Sequence, residues 1–86
     1  MRADPATLKA RVYETAKSSS VGQKVTDVVL ESDRDNDGTD FLRVIIQIKS
    51  YDKRDNAALL ALLEAIEWSV GAIDERYPSV RFAEAA

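Results

Sequence analysis

Asp33-Arg34-Asp35-Asn36-Asp37-Gly38 lies between two alternating apolar runs and can be read in two ways. As a turn it is strong, because Asn, Asp and Gly tolerate the left-handed backbone that a tight reversal needs, and Asp37-Gly38 is a typical hairpin signal. As a ligand set, Asp33, Asp35, Asp37 and Gly38 match the first half of a calcium loop, Asp-x-Asp-x-Asp-Gly. The second half fails. Its twelfth position, where a bidentate Glu belongs, is Val44, and the flanks have the period of strands rather than helices. The turn is the preferred reading, with no cofactor expected. The alternative keeps Asp33, Asp35 and Asp37 as a weak calcium or other divalent-cation site.

Outward from the turn, Lys24 to Ser32 alternates, with Thr26, Val28 and Leu30 on one side and Asp27, Val29 and Glu31 on the other. Phe41 to Lys49 places Leu42, Val44, Ile46 and Ile48 on one face and Phe41, Arg43, Ile45, Gln47 and Lys49 on the other. The two runs predict a β-hairpin over 24–49. Before it, Asp4-Pro5 starts a helix, and Leu8, Val12 and Ala16 give that helix a narrow apolar stripe to about Ala16 or Lys17. Ser18 to Gly22 then forms a connector, so helix and linker take 1–22.

After the hairpin, Asp55 or Asn56 caps a long helix expected to reach about Arg76 and to be closed by Tyr77-Pro78, giving 55–77. Leu59, Leu62, Leu63, Ile66, Val70, Ile73 and Tyr77 fall on one side of it. Glu64, Glu67, Asp74 and Glu75 read as its solvated face. A last strand over 79–83 carries Val80 and Phe82, and Glu84-Ala85-Ala86 is expected to fray. The order α-β-β-α-β predicts an α+β two-layer sandwich: a three-stranded mixed sheet with both helices on one face. Strand order 2-1-3 is the more economical, with 1-2-3 as the alternative.

Eighty-six residues make a single α+β domain, and 45% apolar with 31% charged residues suits a globular chain. The absence of Cys and His removes thiolate chemistry, Cys-ligated zinc, the commonest general base and the commonest transition-metal ligand. The reading is therefore of a binding protein and not an enzyme. A net charge of −3 without a run of Lys and Arg argues against nucleic acid. No apolar run is long enough to span a membrane, which makes a cytoplasmic protein the expectation.

Two departures from the inside–outside pattern point to partners. Trp68 projects nearly opposite the Leu59–Ile66–Val70 stripe, among Ala61, Ala65 and Ala72. Either the first helix folds across it or it anchors a partner. Val29, Phe41 and Ile45 point to the sheet face that the helices leave open, and with Arg43, Arg81 and Ala83 they outline a self-complementary patch. A homodimer or a protein partner is the expectation, with Trp68 the first contact and the Val29/Phe41/Ile45 face the second.

Val28 to Leu30, Gly38, Phe41 to Ile48, Ile66-Glu67 and Tyr77-Pro78-Ser79-Val80 resemble, in order and spacing, the carboxy-terminal cytoplasmic domain of cation-diffusion-facilitator transporters. The resemblance implies the α-β-β-α-β fold and a habit of dimerising. It carries no metal ligands across, because those of the family are largely His. The run Asp37-Gly38-Thr39-Asp40-Phe41-Leu42-Arg43-Val44, with Arg76-Tyr77-Pro78, also looks like small stand-alone bacterial proteins that act as accessory subunits beside a larger partner.

Overall fold

The computed structural model describes residues 1–84. Helix α1 (Pro5–Lys17) precedes strands β1 (Val25–Arg34) and β2 (Asp40–Ile48), helix α2 (Asn56–Gly71) and strand β3 (Tyr77–Glu84). Both helices cover one face of the sheet, as the element order implied. Asp4 caps α1 by accepting the Thr7 N–H at 2.8 Å, with Pro5 in the first turn where its missing donor costs nothing. Leu8, Val12 and Ala16 are fully buried along one stripe. Gly22 is obligatory in the connector, because a Cβ there would sit 2.0 Å from the Lys17 carbonyl oxygen.

The hairpin forms as its sequence predicts, around Asp35 to Thr39. The Gly38 N–H donates to the Asp35 carbonyl at 3.0 Å, and Gly38 takes the left-handed conformation at φ 82°. Asn36 and Asp37 are thus the central turn residues, and Gly38 closes the loop.

The sheet runs β1-β2-β3, antiparallel between β1 and β2 and parallel between β2 and β3. Order 2-1-3 is therefore not the one adopted. A central strand is flanked on both edges and is best served by apolar residues on both faces, and β2, with Leu42, Val44, Ile46 and Ile48 on one face and Phe41 and Ile45 on the other, has the most. Strand β1 carries Asp27, Glu31 and Asp33, which suit an edge. A bulge between Val25 and Asp27 shifts the register, so Val25 is buried and Thr26 exposed. Thr26 is on the opposite side from the one its alternation indicated.

Helix α2 is shorter than the apolar period implied. Asp52 and Asp55 form a reciprocal cap before it: Asp52 accepts the Arg54 N–H at 2.8 Å, and Asp55 accepts the Asp52 N–H at 3.0 Å. The helix stops at Gly71, and its last carbonyls accept from Ala72, Ile73 and Asp74. Asp74 ends it by drawing the following backbone into a local turn, accepting the Arg76 N–H at 2.9 Å. Tyr77-Pro78 then opens β3 instead of closing the helix, and Glu84 pairs with Ile48. Ala85 and Ala86, expected to fray, lie outside the described residues.

Asp74 itself is the main surprise. Its spacing puts it on the solvated face of the helix, yet its side chain is fully buried and its partner Arg76 is only 10% exposed. Its second oxygen accepts from the Arg76 guanidinium at 2.8 Å and from the Ala3 N–H at 3.0 Å. Arg76 also donates to the Ser32 hydroxyl at 3.1 Å. One buried ion pair therefore ties the amino-terminal strap, the α2–β3 corner and β1 together. The guanidinium holds the Asp74 carboxyl far below the usual carboxylate range.

Candidate functional site

The acidic turn spends the carboxylates of Asp33 and Asp35 on its own fold. Asp35 accepts the Asp37 and Thr39 N–H groups at 2.9 and 3.0 Å, and the Tyr77 hydroxyl at 3.1 Å. Asp33 accepts the Arg34 N–H and pairs with Arg43 at 2.7 Å. The backbone donor of Thr39 lowers the Asp35 pKa, and the backbone donor of Arg34 and then the Arg43 guanidinium lower that of Asp33. Among the described residues, no three His, Cys, Asp or Glu side chains gather where a metal ion could be held. The Asp33 and Asp35 side chains serve different contacts, and Asp37 joins the turn through its N–H.

The open face of the sheet has two zones. Near the turn, the Tyr77 ring stacks on Phe41 at 5.3 Å between centroids, and the Arg43 guanidinium lies 5.5 Å from the Phe41 ring centre. Phe41 faces away from the helices as expected, but these neighbours leave it only 8% exposed. Sequence reasoning placed Tyr77 on the helix and so missed its part in this cluster. Desolvation, and then the bond to Asp35, raise the Tyr77 pKa.

Further from the turn, Val29, Ile45 and Arg81 form one row across the three strands. Val29 and Ile45 are half-buried, and Arg81 is exposed and makes no ion pair among the described residues. Asp27 and Glu31 stand one step to either side of Val29 on the same face. The row is thus an aliphatic centre with a free cation at one edge and Asp27 and Glu31 at the other, Glu31 lying 3.8 Å from the Arg43 guanidinium.

On the opposite side of the molecule, Trp68 is 83% exposed, so α1 does not cover it. The two helices meet beside it, where Thr15 and Ser69 share a hydroxyl contact at 3.1 Å. Ala61 and Ala72 are exposed, Ala65 is half-buried, and Leu60 adds a second large apolar side chain at 59% exposure. No helix among the described residues is long and apolar enough to cross a membrane.

No protein-family model and no curated protein sequence matches the chain. Solved structures do. The copper form of the MamM C-terminal domain matches with a TM-score of 0.53 at 15% identity, over 95% of this chain and 89% of that one. A histidine-to-alanine variant of that domain gives 0.52 at 17%, over 94% and 100%. The nickel form of an aspartate variant gives 0.51 at 17%, over 92% and 99%. These are C-terminal domains of the cation-diffusion-facilitator kind, so the fold-level resemblance read from the sequence holds. At such identities the likeness establishes the fold alone.

Proposed function

We propose that this chain is a small protein-interaction module that acts by binding, and that it forms a homodimer through the open face of its sheet. The observation that carries this reading is the Val29–Ile45–Arg81 row with Asp27 and Glu31 beside it. A two-fold axis laid along β2 sets β1 of one copy over β3 of the other and preserves height along the strands. Arg81 of each copy then falls over Val29 of the other, between Asp27 and Glu31. Such a patch is complementary to itself, as an isologous interface must be. Sheets packed about 10 Å apart leave room for that ion pair to close.

Size sets the strength. Three strands about 4.8 Å apart and eight residues long at about 3.3 Å each give a plan area on the order of 400 Å². That is at the small end for a specific interface, so the dimer is expected to depend on concentration. The family resemblance, with its implied habit of dimerising, supports the same reading.

Charge reversal tests it. Arg81→Glu places like charges together and should weaken the dimer by about tenfold or more in sedimentation equilibrium. Asp27→Lys with Glu31→Lys in the same chain should restore it. A chain that stays monomeric at millimolar concentration, or an Arg81→Glu variant that dimerises as well as the parent, contradicts the proposal.

A further inference from the structure

The helix layer carries a second surface, which does not depend on the dimer. A groove of about 490 Å³ lies between the end of α1 and the first half of α2, floored by Ala58, Ala61, Leu62 and Ala65 and walled by Thr15 and Ser18. Trp68 stands one turn beyond Ala65 on the same stripe, and Ala72 one turn beyond that. The small side chains leave the α2 backbone open to close approach by another helix, at the short end of the usual 8–10 Å. The groove admits an apolar side chain beside the Trp anchor. This is the helix-in-groove mode of recognition.

Charge decides the occupant. Between Asn56 and Gly71 there is no cationic residue, and the charged side chains of α2 are Glu64 and Glu67, both exposed. Glu14 borders the groove from α1. Lys17, the nearest lysine on α1, is turned toward β1, where it donates to the Val25 carbonyl at 3.0 Å. Carboxylates alone border the apolar stripe along α2, while on the α1 side Glu14 is joined by Arg11, one turn before Thr15. A second copy of this face set against it by a two-fold axis running across α2 would bring the Glu64–Glu67 edge against itself. An anionic lipid surface or nucleic acid would be repelled. A helix with an apolar stripe and flanking Lys or Arg satisfies every feature.

We propose that the outward face of α2, with Trp68 as anchor and the α1–α2 groove as its pocket, binds a basic amphipathic helix of another protein. Glu64 and Glu67 pair with the basic flank of that helix.

Trp68 is the only tryptophan in the chain, so its fluorescence reports on this face directly. The probes are two synthetic helices with the same leucine stripe, one flanked by lysines and one by glutamates. The lysine helix should give a saturable blue shift of the Trp68 emission, and the glutamate helix none. Glu64→Lys with Glu67→Lys should weaken the lysine helix by about tenfold and admit the glutamate helix. The same reversal at Asp27 and Glu31, on the other face, should leave the lysine-helix affinity unchanged, which separates local from bulk charge. Circular dichroism verifies that each variant is folded. Equal response to both peptides, no response to either, or a shift on concentrating the protein alone would each overturn the proposal. Since the sheet-face dimer is read by sedimentation and this face by emission, either can fail without the other.

Discussion

The two broad faces of this molecule each carry aromatic residues, and they treat them in opposite ways. On the sheet, Phe41 is covered by Tyr77 and Arg43, and Tyr77 and Arg43 are held in turn by Asp35 and Asp33. On the helix layer, Trp68 and Leu60 stand in solvent with no such cover. An outward-pointing aromatic in a sequence therefore has two meanings. It belongs to the fold when the chain closes over it, and stays open to solvent when it does not. What the sheet leaves uncovered is the modest Val29–Ile45–Arg81 row, while the helix layer leaves its largest side chain.

Substitutions sharpen that contrast, and the largest effect lies at the corner from which α2 and β3 both depart. Asp74→Asn leaves Arg76 buried without its countercharge and should cost about 3 kcal/mol in chemical denaturation. The same pair sets an acid limb. The folded Asp74 carboxyl lies below its unfolded value of about 3.9, so its contribution is complete above that pH and is lost as pH falls further. Melting temperature against pH should therefore fall less steeply below pH ~4 for Asp74→Asn than for the parent.

Next comes the covered aromatic pair. Tyr77→Ala removes the stack on Phe41 and the bond to Asp35, and should cost about 2 kcal/mol. Trp68→Ala, the larger truncation by volume, should change stability by no more than about 0.5 kcal/mol, because its side chain is already in water. A destabilisation by Trp68→Ala equal to that of Tyr77→Ala would erase the distinction between the faces.

Much of this was legible beforehand. The Asp4-Pro5 start, the Leu8–Val12–Ala16 stripe and the hairpin around Gly38 follow from local rules, and the structure obeys them. The differences have separate causes, some local and some from distant parts of the chain. The apolar period through Ile73 and Tyr77 continued the helix on paper. Asp74, bound by Arg76 and the Ala3 N–H, turned the chain instead. The bulge that exposes Thr26 depends on pairing with β2, which alternation along β1 cannot report. Strand order was readable in principle from β2, whose apolar residues on both faces mark it as central. Of the candidate surfaces, Trp68 was legible because its position opposite the core stripe needs only helix geometry. The cover over Phe41 was not, since Tyr77 had been counted to the helix.

The central claim is that the sheet face joins copies of this chain while the Trp68 face does not. Light-scattering mass of the parent, Ile45→Asp and Trp68→Asp at one high concentration tests it most directly. The account predicts a dimer, a folded monomer and a dimer, in that order. A monomeric parent, or a dimer lost with Trp68→Asp and kept with Ile45→Asp, would contradict it.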